Sequence, residues 1–272
     1  MKLKIGEHFF SWDRPLVMGI LNLTPDSFFD GGTHNNINEI LKHCEKMLTE
    51  GADIIDIGAF SSRPGMEIIS SEEENRRLLP SLVEIKKEFP NAIISIDTFR
   101  KDVAHNALDN GADIINDISG GTFDNEMIPY IGKNHIPYIL MHSGNNLDNL
   151  HSEIIKNEAS KKVKAFFEIQ IEKLSEFGET QIILDPGIGF NKSKKENFNL
   201  LKNIKDYRVN NLPILIGISR KSMIYKTLKT SPQEALNGTT VLNTIALIND
   251  ADILRVHDVK EAVETVKLVK EL

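Results

Sequence analysis

The chain has 272 residues, 40% of them hydrophobic, with a formal net charge of -7 and a pI near 5.7. That length suits one sizeable core, and a single (β/α)8 barrel commonly occupies about 250 residues. The acidic balance argues against a general nucleic-acid binder, which needs a basic face to neutralise phosphates, so any anionic ligand must be met by local positive charge.

Met1 to Gly6 lacks the apolar segment of a secretory signal, and no apolar run approaches the roughly 20 residues that cross a bilayer. A cytoplasmic protein without membrane contact is expected. From there on, short runs rich in isoleucine, leucine and valine alternate with longer amphipathic stretches, the pattern of parallel strands covered by helices. Strands are expected at Leu16–Leu21, Asp53–Ile57, Ala92–Ile96, Asp113–Ile115, Ile136–Met141, Gln181–Leu184, Pro213–Ile218 and Asp252–Val256. Apolar residues recur at helical spacing between them, as at Ile37, Ile40, Leu41, Cys44 and Leu48, or Leu78, Leu82, Val83, Ile85 and Phe89. Cys44 is the one cysteine, so no intrachain disulfide forms, and its place on a helix flank suits a packing thiol.

Three junctions share one pattern: Gly51-Ala52-Asp53-Ile54, Gly111-Ala112-Asp113-Ile114 and Asp250-Ala251-Asp252-Ile253. Each ends a helix and begins a strand. Glycine takes the left-handed conformation that closes a helix, and aspartate tolerates it at the third. No low-complexity linker divides the chain, so residues 1–272 are expected to form one domain.

The expected fold class is α/β. Eight β/α units close into a single (β/α)8 TIM barrel or open into a doubly wound sheet, and in both the chemistry belongs at the carboxyl ends of the strands. Those ends carry Asn22, Asp56, Asp97, Asn116, His142, Asp185, then Ser219-Arg220-Lys221, and finally Arg255 with His257. One such residue is often only a helix cap. Eight in succession point to side chains that share a centre.

Two loops are long, one after the first strand through Thr24-Pro25-Asp26-Ser27-Phe28-Phe29-Asp30 and one after the second through Phe60-Ser61-Ser62-Arg63-Pro64-Gly65. Loops of that length in a compact domain are usually lids or binding loops, and Arg63 suits an anion contact. Asp185-Pro186-Gly187-Ile188-Gly189-Phe190-Asn191-Lys192-Ser193 brings glycines past the sixth strand. It fails the phosphate-loop pattern, because Asn191 stands where the second glycine belongs. Asp97, Asp185 and Asn116 converging in a pocket fit a flat heterocycle with several N–H donors, with Lys221 as a further donor. Arg255, His257 and Arg63 supply cations for a phosphorylated group, which barrels often bind near the last two strands.

Taken together and in order, Met18 to Gly32, Asp56 to Gly65, Asp97-Thr98, Asp185 to Phe190, Ser219 to Ser222 and Arg255 to Asp258 resemble the signatures of the dihydropteroate synthases. The resemblance covers nearly the whole chain. It implies a TIM barrel that joins 6-hydroxymethyl-7,8-dihydropterin pyrophosphate to p-aminobenzoate in folate biosynthesis, and a target of sulfonamide-type mimics. By resemblance, Asp97, Asn116, Asp185 and Lys221 bind the pterin, while Asn22, Arg63, Arg255 and His257 handle the pyrophosphate. Mg²⁺ is the implied cofactor, with Asn22 and Asp30 as ligands, a choice suited to a hard ion that keeps waters and phosphate oxygens. Ser62, Arg63, Pro64, Phe190, Ser219, Lys221 and Phe28 would line the p-aminobenzoate site. Asp97, Lys221, Arg255 and Asn22 would carry the catalysis, and exposed apolar positions on the last helices would permit a homodimer.

Phe60 stands where many members of that family have glutamate, Ser62 where threonine is usual, and Asn191 where a Gly-Phe-Gly-Lys run would put glycine. The nearest rival is a pterin-dependent methyltransferase, which shares the pterin pocket; the long first loop and Ser219-Arg220-Lys221 speak against it, because they resemble the synthase's own loops. A Schiff-base aldolase using Lys221 would need a lowered pKa, whereas carboxylates nearby are expected to raise it. A non-catalytic pterin binder would be expected to lack Asn22, Arg63 or Arg255, and all three are present.

Overall fold

The computed structural model describes residues 2–5, 8–11, 13–23, 33–60, 69–144 and 154–272. Leu16–Asn22 (β3), Ile54–Gly58 (β4), Ile94–Asp97 (β5), Ile114–Asp117 (β6), Tyr138–Met141 (β7), Ile182–Asp185 (β8), Leu215–Ile216 (β9) and Ile253–Val256 (β10) correspond to the eight expected strands, with small shifts at their ends. They form one parallel sheet in the order β8-β7-β6-β5-β4-β3-β10-β9. Leu184 N donates to Pro213 O at 2.8 Å and Leu184 bridges Ile214, which joins β8 to β9 and closes the barrel. Helices Thr33–Glu50 (α1), Ser71–Glu88 (α2), Lys101–Asp109 (α3), Met127–Lys133 (α4), Ala159–Ser175 (α5), Lys194–Lys202 (α6), Ser222–Leu228 (α7), Leu236–Ile248 (α8) and Val259–Val269 (α9) follow the strands. Among the described residues, no helix is long and apolar enough to cross a membrane.

Alternation along the strands explains why one end of this barrel is oily and the other polar. Successive side chains point to opposite faces of a strand. Val17, Leu21, Ile55, Ile57, Ile94, Ile96, Ile115, Leu140, Leu184, Ile216, Leu254 and Val256 pack outward against the helices, with Cys44 and Met47 of α1. The other phase begins in a separate cluster at the barrel floor, made by Leu16, Met18, Ile54, Ile93, Ile114, Ile139, Ile183, Leu215 and Ile253. Two residues further along the same inward phase, Ile54 gives way to Asp56, Ile114 to Asn116, Ile183 to Asp185 and Ile253 to Arg255. Strand register carries the pattern sideways, aligning Asn22 with Gly58, Gly58 with Asp97, and Asp97 with Asn116.

Beneath the floor lies an element that was not expected from the sequence. Lys2–Ile5 (β1) and His8–Ser11 (β2) pair antiparallel, from Lys2 opposite Ser11 to Ile5 opposite His8. Ile5 is fully buried and joins the floor cluster. Lys2-Leu3-Lys4-Ile5 does alternate with the period of a strand, but four residues are too few for that period to stand out.

The repeated junction has a double function. Gly51 N donates to Leu48 O and Ala52 N to Met47 O, and the same pair of bonds recurs at Gly111 and Ala112 and at Asp250 and Ala251. This is the helix-ending arrangement that a left-handed residue permits, and Gly51, Gly111 and Asp250 have φ of 101°, 96° and 68°. The aspartate two residues later then reaches the preceding strand: Asp53 accepts from Val17 N at 2.8 Å, Asp113 from Ile94 N at 2.9 Å and Asp252 from Ile214 N at 2.8 Å. A cation backs each one, Arg14, Lys86 and Arg208 respectively. These carboxylates pin neighbouring strands in register at the end remote from the site.

Asp113→Ala strands the Ile94 N–H and is expected to cost about 1–3 kcal/mol, the usual range for a lost bond to a charged group. Lys86→Ala, which removes only a partly exposed cation, is expected to cost under about 1 kcal/mol. Urea unfolding of both variants checks the ranking, and equal losses would show that the cation rather than the backbone contact carries the effect.

Candidate active site

At the polar end of the barrel, a guanidinium sits between two carboxylates. Arg255 of β10 donates from Nε to Asp56 Oδ2 at 2.6 Å and from Nη2 to Asp97 Oδ2 at 2.8 Å. Asp56 is fully buried in the middle of β4, and its Oδ2 also accepts from Asn116 Nδ2 at 3.0 Å. The sequence reading placed Asp56 at a strand end but gave it no role in the site. In the structure it orients both Asn116 and Arg255. The period of two along Ile54-Ile55-Asp56 was the signal that could have found it, since Ile54 and Asp56 share the inward face.

The charges at this centre shape one another. Burial pushes the Asp97 carboxyl up to about 7, with Arg255 opposing the rise and Asp56 adding to it. Asp185 is raised too, first by burial, while Lys221 and the Gly187 N–H work against the shift. Burial works against the charge of Arg255 as well, but Asp56 and Asp97 more than offset it and leave its pKa above the ordinary value. A buried cation with two carboxylate partners keeps its proton.

Lys221 departs from expectation. Burial outweighs the pull of Asp185 and lowers the ammonium to about 8, with Arg255 contributing to the fall and Asp97 opposing it. Its Nζ donates to Ile188 O and lies 4.7 Å from the centre of the Phe190 ring, a cation over an aromatic face. Of the expected p-aminobenzoate residues, Phe190 and Lys221 therefore come together, while Ser219 meets His257. Ser219 Oγ accepts from His257 N at 3.2 Å and lies 3.2 Å from His257 Nδ1. Arg220, between them in the chain, turns away in a left-handed conformation and grips Asp258 through two nitrogens at 2.9 and 2.8 Å. Ser-Arg-Lys thus gives one residue to the last loop, one to a strut and one to the pocket.

The second long loop is flanked by residues that meet on Phe99-Arg100. The Phe60 ring packs edge-on against Phe99 with centroids 5.7 Å apart, and Arg100 donates from Nη2 to Ile69 O at 2.6 Å. Arg100 lies over the Phe99 ring at 4.5 Å and pairs with the buried Glu74. Phe60, the departure from the usual glutamate, therefore joins an apolar patch with Phe99, Ile118, Met141, Phe123 and Phe190. Ser62, Arg63 and Pro64 of this loop, and Phe28 and Asp30 of the first, lie outside the described residues. Asn22, at the end of β3, is described, and its amide oxygen faces Gly58 on the side where Asp97 also lies.

The profile of the pterin binding enzyme family matches residues 18–257. A dihydropteroate synthase of Clostridium beijerinckii is 41% identical over 98% of this chain and 97% of its own length. The chain belongs to the dihydropteroate synthase family of pterin-binding enzymes. Among solved structures, the dihydropteroate synthase of Yersinia pestis in complex with a sulfonamide drug is 36% identical, covers 100% of this chain and 98% of that one, and gives a TM-score of 0.90. The dihydropteroate synthase of Xanthomonas albilineans with 4-aminobenzoic acid is 31% identical, covers 99% and 97%, and gives 0.88. Both the barrel and its length are those of the family.

Loss of Arg255 would leave Asp56 and Asp97 facing each other in a dry site. Arg255→Met is expected to destabilise the fold by about 3–5 kcal/mol at pH 8. Without Arg255, which opposes the rise, the folded Asp97 carboxyl climbs still further above its unfolded value. The loss accumulates as pH rises from about 4 and is largely relieved near pH 5, where folded Asp97 holds its proton. Urea melts at the two pH values test this, and an equal deficit at both would contradict the charge account.

Proposed function

We propose that the chain condenses 6-hydroxymethyl-7,8-dihydropterin pyrophosphate with p-aminobenzoate, releasing pyrophosphate and forming 7,8-dihydropteroate, a step of folate biosynthesis. The observation that carries this reading is the set of Asp97, Asn116, Asp185 and Lys221 around the Arg255–Asp56 pair, in a chain 41% identical to a dihydropteroate synthase. A pterin-dependent methyltransferase would share the pterin residues, but the full-length relatives carry the synthase name.

Carboxylates accept paired N–H groups of a pterin, Asn116 can donate and accept at once, and the Lys221 ammonium donates to the ring. In the reaction the bond between the exocyclic methylene and the pyrophosphate oxygen breaks, and its electron pair leaves with the pyrophosphate. The arylamine nitrogen forms the new C–N bond and loses its proton to water. Ionised Asp97 stabilises positive charge developing on the pterin. Asp56 and Asp97 engage two nitrogens of Arg255, so the third, Nη1, is the one to face the departing pyrophosphate, together with His257 and Arg63. Phe190 and Ser219 would receive the aromatic ring and carboxylate of p-aminobenzoate with Ser62, Arg63, Pro64 and Phe28.

Among the described residues, no three acidic, histidine or cysteine side chains gather to hold a metal. The donor set fits an ion held chiefly by substrate, since Asn22 offers an uncharged oxygen at the end of β3 and Mg²⁺ favours phosphate oxygens and water. Asn22, with Asp30, would hold it, and when bound it would neutralise charge on the leaving group.

Incubation with Mg²⁺ and both substrates should yield dihydropteroate and pyrophosphate, and no product above the enzyme-free control would end the reading. Because Asp97 works ionised and Lys221 works charged, kcat/KM should rise as pH climbs through about 7 and fall through about 8. Asp97→Asn should remove the rising limb and lower kcat/KM by about 2 kcal/mol or more in barrier terms. A rising limb that survives the substitution would take Asp97 out of that role.

A homodimer is the proposed assembly. Val241, Ile245 and Ile248 form an exposed apolar stripe one and two turns apart on α8, and Leu268 is exposed on α9, which packs beside it. Sedimentation equilibrium should give twice the chain mass, and Ile245→Glu with Ile248→Glu should give one chain mass. A wild-type chain that sediments as a monomer would refute the assembly.

A further inference from the structure

The glycine-rich segment after β8 contains Lys192, a lysine that none of the steps above uses. It is 7% exposed, and its Nζ donates to Gly187 O at 3.1 Å, Phe190 O at 3.1 Å and His142 O at 3.2 Å. The first two carbonyls belong to its own loop, and the third follows the neighbouring strand β7. Three acceptors match the three N–H donors of an ammonium, which a neutral amine does not supply. Burial pulls the Lys192 pKa down to about 7, against Asp185 and with Lys221 adding to the fall.

The loop around this ammonium has one shape. A side chain at Gly187, whose φ is +64°, would place Cβ 1.9 Å from His142 O, so the backbone passes directly beneath that carbonyl. Asn191 holds φ of 50°, a conformation that asparagine tolerates in place of the usual glycine. Gly189 N donates to Asn197 Oδ1 at 2.7 Å, and Asn197 Nδ2 donates back to Lys192 O at 3.1 Å. At the far side of the same turn, Ile188 O receives Lys221, and the Phe190 ring lies under it.

We propose that Lys192 is a positioning residue for the arylamine half of the site: its ammonium gathers the carbonyls of His142, Gly187 and Phe190 and so sets the Phe190 ring against Lys221. The proposal rests on the synthase reading for the identity of the ligand, and on these contacts for the geometry. Of the lysine-serine pair that resembles a phosphate loop, Lys192 turns inward to main-chain oxygens and Ser193 caps α6, its Oγ accepting from Glu196 N at 3.3 Å.

Lys192→Met and Lys192→Gln test it through three readouts. KM for p-aminobenzoate should rise roughly tenfold, the scale of a lost bond to a charged donor. Affinity for 6-hydroxymethylpterin, measured by calorimetry, should fall by no more than about threefold, because of the pterin residues only Asp185 feels Lys192, through its charge and through the Gly187 N–H. Amide hydrogen exchange should quicken across residues 187–191 and stay unchanged in β7 and β8. Equal weakening of both ligands, or unchanged exchange in the loop, would overturn the proposal. So would collapse of both variants, which would make Lys192 a support of the whole barrel. Pterin affinity and exchange need no turnover, so they decide the matter even if the wild-type chain forms no dihydropteroate.

Discussion

Every charged group in the pocket is set in relation to the guanidinium of Arg255. Two carboxylates, Asp56 and Asp97, could not both stay ionised so close together in a dry barrel without it. Asp56 is fully enclosed and takes Asn116 as its second partner, so the amide proposed to meet a pterin is oriented by the same pair. Asp97 keeps one side toward the pocket, and its raised pKa reflects burial only partly offset by Arg255. Three strands, β4, β5 and β10, thereby contribute to one electrostatic unit.

The two halves of the site are built differently. The proposed pterin half takes Asp97, Asn116 and Asp185 from inward positions of closed strands, where register and packing fix each side chain. The proposed arylamine half stands on turns: the loop after β8 tied to Lys192, the Ser219–His257 contact, and the second loop whose flanks meet on Phe99-Arg100. Loop-borne sites need their own supports, and here these are buried or half-buried cations bonded to main-chain oxygens or to carboxylates. Lys192, Arg100 and Arg220 each serve in this way, and each lies within a few residues of a group assigned to substrate.

The eight strands were legible because parallel strands buried on both faces are nearly continuous apolar runs. The Gly-Ala-Asp junctions were legible as helix ends, but their aspartates were not legible as register pins, since the bonded N–H lies 19 to 38 residues away. Asp97, Asn116, Asp185, Lys221 and Arg255 stand out in the sequence because they sit at or beside strand ends, and the barrel gathers them at one end. For Asp56 the period of two gives the inward face but not the partners, which come from distant strands. Lys192 carries no local mark, because its partners are main-chain oxygens.

The sequence by itself determined the fold class, the order of the strands and the residue types available at the polar end, because periodicity and turn chemistry are local properties of the chain. Only the tertiary structure decided the pairings and the protonation states. Lys221 illustrates the difference: its chemical neighbours were expected to be carboxylates, and they are, yet burial outweighs them and lowers its pKa. Desolvation depends on how completely the barrel closes around a group, and that quantity belongs to the packed molecule.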